Sequence, residues 1–211
     1  MKRFLVLTLA ALTVAALVPQ NLSAAVGIKG GFNFANISIK PADPDMPDFK
    51  DLRGLTGGVF FTLNLGFVSI QPEILYSRRG LMWEFEWDVD QMAKIEYMTD
   101  YIEVPVLLKL NVLPAGPVRP VVFGGPSFGY LLKATGRFTS PEGTETEDIK
   151  DMFKKTAIGG IVGAGIEIKT PVVLLTLDGR YHIGVNNILK DAVEAESLKH
   201  KGFSVMVGIG F

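Results

Sequence analysis

The chain has 211 residues, a formal net charge of −1 and no cysteine. Its length suits one domain or a small pair, and the balanced charge argues against a nucleic-acid partner, which would require a basic face. Without cysteine, disulfide bonds, thiolate chemistry and Cys-ligated metals are excluded. A hydrophobic content of 48% together with 23 glycines is high for an ordinary soluble enzyme.

The N-terminus has the layout of a secretory signal peptide. Two basic residues precede an almost unbroken apolar run over residues 4–18, and a stretch of small residues ending at Ala25 follows. The run is short for a transmembrane helix, so an uncleaved anchor is the less favoured alternative. We predict cleavage after Ala25, with Ala24 as the second site. The predicted organisation is a signal peptide at residues 1–25 and a barrel domain at residues 26–211.

Eight later segments alternate with a period of two residues, as antiparallel strands do. They are, in chain order, residues 26–34, 53–65, 67–79, 97–112, 118–134, 156–169, 173–183 and 202–211. Beyond residue 25 no apolar run approaches the roughly 20 residues that a spanning helix needs. A membrane protein of this sequence must therefore be a barrel. The predicted fold is all-β, an up-and-down transmembrane β-barrel of eight antiparallel strands.

The last two segments alternate most clearly. One face of the final segment is wholly apolar and holds Phe203, Val205, Val207, Ile209 and Phe211. One face of the preceding segment is polar or charged and holds Thr176, Asp178, Arg180 and His182. Four consecutive polar positions would make a poor soluble core, whereas the wall of a membrane barrel turns its apolar face to lipid and its polar face to the lumen.

The connections between the segments alternate in length. Short ones fall near Gly66, at residues 113–117 and at Thr170-Pro171, and long ones fall at residues 35–52, 80–95, 135–155 and 185–200. Outer-membrane barrels have short periplasmic turns and long extracellular loops, so both termini are predicted to lie in the periplasm.

The long connections and one strand have local features of their own. The first two long loops are acidic, and their carboxylates are Asp43, Asp45, Asp48, Asp51, Glu84, Glu86, Asp88 and Asp90. Residues 145–155 of the third loop are predicted to form a short helix. Gly124-Gly125-Pro126 interrupts the alternation of the fifth segment and predicts a bulge or a bend there.

Ten residues are predicted to form a charge network inside the barrel: Lys29, Glu73, Arg79, Glu103, Lys109, Glu167, Lys169, Asp178, Arg180 and His182. The set contains five positive and four negative charges, so nearly every charge has a potential partner of opposite sign. An eight-stranded barrel is just wide enough for its side chains to fill, and a lone buried charge is strongly disfavoured. We interpret the set as a polar plug, in which Arg180 reaches across the lumen to Glu73, Glu103 or Glu167. The alternative is a narrow conduit for ions or a small solute.

Catalytic and metal chemistry find little support in the sequence. His182 and Ser204 lie on the inner faces of neighbouring strands, and Asp178 is a candidate orienter four residues before His182. No elbow motif surrounds Ser204, so the pair does not meet the criteria for a hydrolytic site. Two histidines are too few for a His-rich metal site, and neither a calcium loop nor a phosphate-binding glycine motif is present. We predict no enzymatic activity, no cofactor and no metal.

Several motifs occur together and in order along the chain. They are Gly57-Gly58-Val59-Phe60, Ile70-Gln71-Pro72-Glu73-Ile74-Leu75-Tyr76-Ser77, Tyr101-Ile102-Glu103-Val104-Pro105-Val106-Leu107-Leu108-Lys109, Gly124-Gly125-Pro126-Ser127, Leu177-Asp178-Gly179-Arg180-Tyr181, Asn186-Asn187-Ile188 and the terminal Gly210-Phe211. This set resembles the PorT-like family of outer-membrane barrel proteins, almost end to end over the mature chain. The resemblance implies an eight-stranded barrel without catalytic residues. The secretion role of the family's namesake is not carried over, because no secretion-specific motif is present.

We therefore predict a non-enzymatic, monomeric protein of the bacterial outer membrane, surrounded by outer-membrane lipid. Its four long acidic loops would bind an extracellular ligand or an envelope protein, or the barrel would stabilise the envelope; no nucleic acid is involved. Two alternatives stay open. One is the narrow channel. The other is a soluble, periplasmic, lipocalin-like barrel, in which the apolar face would point inward and the charged face outward.

Overall fold

The computed structural model describes residues 23–40, 50–88, 91–113, 116–190 and 197–211. Most of the predicted signal peptide lies outside these ranges, as do the loop carboxylates Asp43, Asp45, Asp48 and Asp90. The last three residues of the predicted signal peptide open the first strand, where Ser23 pairs with Asn64. Within the described ranges, no helix is long and apolar enough to cross a membrane.

Nine strands make up the described part of the chain. They are β1 (Ser23–Lys40), β2 (Lys50–Asn64), β3 (Val68–Asp88), β4 (Gln91–Asn111), β5 (Val118–Ser140), β6 (Gly143–Asp148), β7 (Thr156–Lys169), β8 (Leu174–Gly184) and β9 (Ser197–Gly210). Eight of them follow one another in the order β4-β3-β2-β1-β9-β8-β7-β5, and a ladder between β4 and β5 closes the ring. Among the described strands, β6 pairs with β5 alone. The predicted barrel of eight antiparallel strands is confirmed.

The apolar face of each barrel strand points outward. In β9, Val207 is 61% exposed whereas Ser204 is fully buried. In β8, Leu177 is exposed whereas Arg180 is fully buried. Successive strand residues point to opposite faces, so the alternation seen in the sequence places charge inside and hydrocarbon outside. A barrel in lipid needs this arrangement, and it contradicts the lipocalin-like alternative with an apolar interior.

The outward apolar surface ends at a polar boundary. Along β4 and its end it covers the alternate positions of residues 104–112, about the length of a spanning strand. Beyond it, Arg78 of β3 and Asp100 of β4 form an ion pair, with Nε and Oδ1 2.7 Å apart. Tyr76 and Tyr130 lie just below that pair, each beside the same residue of β4. Aromatic girdles of membrane barrels occupy this level.

Three short connections lie at one end of the barrel, here called the turn end; the opposite end is the loop end. In the β2–β3 turn, Leu65 N–H donates to Val68 O at 2.8 Å, and Gly66 has a φ of +93°, which glycine adopts without steric cost. In the β7–β8 turn, the Val173 N–H donates to Thr170 Oγ1 at 2.9 Å. The predicted positions of the short connections are confirmed.

At the loop end the strands run further than predicted. The long loop predicted at residues 80–95 is wrong, because β3 continues to Asp88 and β4 begins at Gln91. Residues 145–155 do not form the predicted helix. They hold the end of β6, which folds back on β5, and a single 3-10 turn at Lys150–Met152. Alternating apolar and polar side chains let β3 and β4 continue as strands above the barrel, whereas β6 is wholly polar and is held by its pairing with β5.

Of the bulge or bend predicted at residues 124–126, the bulge is wrong. β5 keeps one register against β7 through these residues. The register between β4 and β5 instead changes between Leu131 and Lys133, which leaves Leu132 as the extra residue. Leu132 and Lys133 are both exposed although they are consecutive. The positions of β5 that point inward therefore shift by one residue at this bulge.

Candidate functional site

The centre of the barrel holds four charged side chains in direct contact. Lys29 of β1 donates from Nζ to Glu73 Oε1 at 2.8 Å and to Asp178 Oδ2 at 2.9 Å. Arg180 of β8 forms a bidentate pair with Glu73 of β3, with Nη1–Oε2 at 2.6 Å and Nη2–Oε1 at 2.9 Å. Arg180 Nη2 also donates to Asp178 Oδ2 at 2.7 Å. All four are buried, and two cations compensate two carboxylates.

A second group lies toward the turn end. Lys109 of β4 donates from Nζ to Glu167 Oε1 at 2.5 Å and to Gln71 Oε1 at 3.1 Å. Gln71 Nε2 donates to Glu73 Oε1 at 2.6 Å, and Thr62 Oγ1 donates to Gln71 Oε1 at 2.9 Å. The amide of Gln71 therefore joins this group to the central cluster.

A third group lies toward the loop end. Arg79 of β3 donates to Glu103 of β4, with Nη2 and Oε2 2.8 Å apart. The same Nη2 lies 2.7 Å from His182 Nδ1, and His182 Nε2 lies 3.0 Å from Ser204 Oγ. A guanidinium has donors only, so Nδ1 is the acceptor. The ring proton is then on Nε2, which donates to Ser204.

This hydrogen-bond direction does not suit catalysis. A serine nucleophile needs a histidine nitrogen that accepts its proton and a carboxylate that holds the other nitrogen. Here Arg79 occupies the second position, and Asp178 pairs with Lys29 and Arg180 instead. His182 and Ser204 are neighbours, as their strand faces predicted, but with Asp178 they do not form a triad. Among the residues that the structure describes, no three potential metal ligands come together.

Lys169 was predicted to belong to the interior charge network, but it lies outside the barrel interior. It is the last residue of β7, and its side chain is exposed at the turn end. The assignment of Lys169 to the buried network is therefore corrected, because β7 has left the barrel interior at that point. Four positive residues now face four negative ones in the interior: Lys29, Arg79, Lys109 and Arg180 against Glu73, Glu103, Glu167 and Asp178.

Uncharged polar residues connect the charges, and sequence reasoning did not select them. Besides Gln71, Asn33 Nδ2 donates to Ser77 Oγ at 2.8 Å, and Arg79 Nε donates to the same oxygen at 3.3 Å. Gln71 and Ser77 lie two residues before Glu73 and Arg79. The period of two residues therefore indicated that both side chains point inward, but it did not indicate which residues they contact.

Apolar side chains fill the space beside the network. Lys29 Nζ lies 4.8 Å from the centre of the Phe60 ring, and Lys109 Nζ lies 5.8 Å from that of Phe123. Arg180 Cζ lies 5.5 Å from the Phe123 ring. These contacts add cation–π attraction to the ion pairs. The cavities that border Arg79 and His182 have volumes of only about 20 Å³ and 10 Å³, at most the room for a single water molecule.

A model of a known protein family matches most of the chain. The family model described as "Outer membrane protein beta-barrel domain" matches residues 19–190. No curated protein matches the chain in sequence. Among solved structures, the chain is similar to Neisserial surface protein A, with 12% identity, 91% of this chain and 100% of that chain covered, and a TM-score of 0.47.

Two further solved structures are similar. The outer membrane protein OprG of Pseudomonas aeruginosa has 13% identity, 89% and 95% of the two chains covered, and a TM-score of 0.48. Ail, the attachment invasion locus protein of Yersinia pestis, has 15% identity, 89% and 97% covered, and a TM-score of 0.38.

Proposed function

The chain belongs to the outer membrane protein β-barrel domain family, and we propose that it is a closed, non-enzymatic barrel that acts through its loop end. In this proposal the membrane-embedded body is an inert, plugged support. The loop end faces the cell exterior and binds a ligand or an envelope partner. Within the family we assign the chain to the PorT-like group, on the ordered motifs of its strands.

One observation carries the proposal: the side chains of the interior join opposite walls of the barrel. Arg180 on β8 and Glu73 on β3 are partners across the full width of the ring, and Lys109 on β4 reaches past β5 to Glu167 on β7. A permeating ion would have to break contacts between fully desolvated charges. Such separation leaves each charge unpaired in a medium of low polarity, which is strongly disfavoured. This supports a plug rather than a conduit.

The shape of the loop end supports a binding role. β3, β4 and β5 rise beyond the Arg78–Asp100 boundary, and β6 adds a fourth strand to this projecting sheet. A sheet of four paired strands is a firmer base for a binding surface than a loop. Its edge strand β6 carries the exposed carboxylates Glu145 and Glu147.

We also propose export through a signal peptide cleaved after Ala25. The first mature residue would then be Val26, whose N–H donates to Phe211 O at 3.0 Å and whose carbonyl accepts from Phe211 N–H at 2.9 Å. Cleavage at this point leaves the seam between β1 and β9 complete. N-terminal sequencing of the protein from outer membranes should begin at Val26.

Liposome swelling tests the proposal. Vesicles that contain the purified protein are placed in isotonic arabinose, and swelling reports entry of the sugar. A closed barrel should give no swelling above that of protein-free vesicles, with a known porin as the positive control. Swelling that increases with the amount of folded protein would overturn the closed barrel.

A further inference from the structure

A large open cavity lies at the loop end, separate from the charge network. Its volume is about 1000 Å³. The projecting sheet of β3, β4, β5 and β6 forms one wall, and Ile149, Met152, Phe153, Leu189 and Leu198 form the other wall and the base. The cavity lies above the Arg78–Asp100 pair, on the side away from the membrane body.

The register of the sheet explains why this wall is apolar with an acidic edge. Directly paired residues of antiparallel strands share a face. Two rows therefore cross the wall, Leu81–Tyr97–Gly136–Glu147 and Trp83–Ile95–Phe138–Glu145. Each row begins with apolar or small residues and ends with a carboxylate on β6.

Arg137 contributes to the lining of the cavity, but its guanidinium group lies on the other face of the sheet. Arg137 pairs directly with Glu96 and lies 3.8 Å from it, and Lys94 lies 3.2 Å from the same carboxylate. Glu96 alternates with Tyr97 along β4, so this group occupies the opposite face of the sheet. The charge that faces the cavity from the sheet is therefore negative, from Glu145 and Glu147.

A buried apolar layer closes the base of the cavity above the polar interior. Its members are Leu81, Tyr101, Leu131, Ala134, Ile149, Phe153 and Ile188. The Phe153 and Leu189 backbones form a bridge that ties the base to the far wall. The cavity is thus a cup that opens away from the barrel and does not continue into the lumen.

We propose that this cup binds a small molecule with an apolar, ring-containing body and one positively charged end. The inference deepens the proposed function, because it rests on the loop end being the binding part of the protein. The body would pack between Trp83, Tyr97 and Phe138, and the cationic end would point to Glu145 and Glu147.

Size and shape favour a small molecule over a protein segment. Pockets for small molecules have volumes of about 300–1000 Å³, are concave and are mostly apolar, with a few polar groups that fix orientation. The cup meets each of these criteria. A cation with an apolar body also gains from the faces of aromatic rings, which attract positive charge.

The two tryptophans of the chain provide the readout. Trp83 lines the cup, and the Trp87 ring lies 5.3 Å from that of Phe138. The protein is reconstituted in phosphatidylcholine vesicles, which have no tryptophan and no net charge. Three probes that share one body are titrated: 4-phenylbutylamine, 4-phenylbutanol and 4-phenylbutyrate. Saturable change in tryptophan emission reports binding.

The expected order of affinity is amine, then alcohol, then acid. Exposed charge pairs contribute up to about 1 kcal/mol, so the amine should bind up to about fivefold more tightly than the alcohol. Glu145→Gln combined with Glu147→Gln should remove that preference. Glu86→Gln on the outer face of the β3–β4 hairpin is the control and should retain it. Equal binding of all three probes to the wild type would overturn the proposal.

A second variant fills the cup itself. A Cβ at Gly136 would make ordinary contacts, 3.5 Å from Ile149 Cγ2 and 3.6 Å from Tyr97 Cε1, and the remaining atoms of the side chain in Gly136→Leu would occupy the cavity. It should abolish the saturable response. Gly160→Leu on the barrel wall, where the nearest atom is 3.8 Å away, should leave it unchanged. Binding that survives Gly136→Leu would place the probe elsewhere and overturn the site.

The two proposals fail separately. Arabinose entry into vesicles would overturn the closed barrel and leave the probe titration standing. Absence of a saturable response in a protein that excludes arabinose would overturn the cup as a binding site and leave the closed barrel standing.

Discussion

Arg180 and Glu73 meet across the diameter of the barrel, through two hydrogen bonds of 2.6 Å and 2.9 Å. Three strands separate β8 from β3 in either direction around the ring. The pair therefore joins the two most distant points of the wall. Lys29 and Asp178 complete it, so that the cluster has no net charge.

The neutrality of this cluster predicts strong coupling between its members. Arg180→Met or Glu73→Gln alone leaves one uncompensated charge in the interior and should reduce the free energy of unfolding by about 3–5 kcal/mol. The double variant leaves the Lys29–Asp178 pair and should lose much less than the sum. Urea unfolding in lipid or detergent measures all three. Additive losses would show that the two residues do not act as a pair.

The different positions of two lysines give a second prediction. Lys109→Met leaves Glu167 unpaired in the interior and should lower the unfolding free energy by about 3–5 kcal/mol. Lys169→Met changes an exposed side chain two residues beyond Glu167 and should alter stability by less than about 0.5 kcal/mol. Heat-modifiable gel mobility provides an independent measure. Equal losses for the two variants would return Lys169 to the network.

The outward face of β9 is predicted to be in lipid. Val207→Arg places a charge near the middle of the apolar belt and should destabilise the barrel by about 2–4 kcal/mol. Val207→Leu is the matched control and should assemble normally. Recovery of folded protein from outer membranes measures both. Normal assembly of Val207→Arg would mean that this face does not contact lipid.

Two adjacent glycines on β1 should respond differently to alanine. A Cβ on the inward Gly31 would overlap the Val205 carbonyl oxygen and lie 2.7 Å from Met206 Cα. On the outward Gly30 the nearest atom, Thr56 O, is 3.8 Å away. Gly31→Ala should therefore reduce stability by about 1–3 kcal/mol through overpacking, and Gly30→Ala should be tolerated. The midpoints of urea unfolding measure the stability of both variants. A greater loss of stability for Gly30→Ala than for Gly31→Ala would contradict the close approach of β1 and β9.

The sequence predicted the faces of the barrel strands well, because lipid and lumen impose a strict period of two. Asp178, Arg180 and His182 lie on the inner face for this reason. It did not predict which charges pair. Partners such as Arg180 and Glu73 lie 107 residues apart, and their meeting depends on the ring order and the stagger of the strands, which no local pattern encodes.

The projecting sheet was missed because its acidic residues resembled a loop. The segment was interpreted as a loop because it contains Glu84, Glu86 and Asp88. These acidic residues alternate with Leu81, Trp83 and Phe85, which continue the period of the strand. The bulge at Leu132 could not be predicted from the alternation of apolar and polar residues. A bulge is fixed by the partner strand as well as by its own sequence.

Single-channel recording in planar lipid bilayers tests directly whether side chains close the lumen. Purified, folded wild-type protein is inserted in molar KCl, and insertion is verified by recovery of heat-modifiable protein from the bilayer lipid. A plugged barrel should give no discrete conductance steps at any applied voltage that the bilayer withstands. Reproducible steps whose frequency rises with the amount of folded protein would contradict it, and the charged interior would then be a conduit.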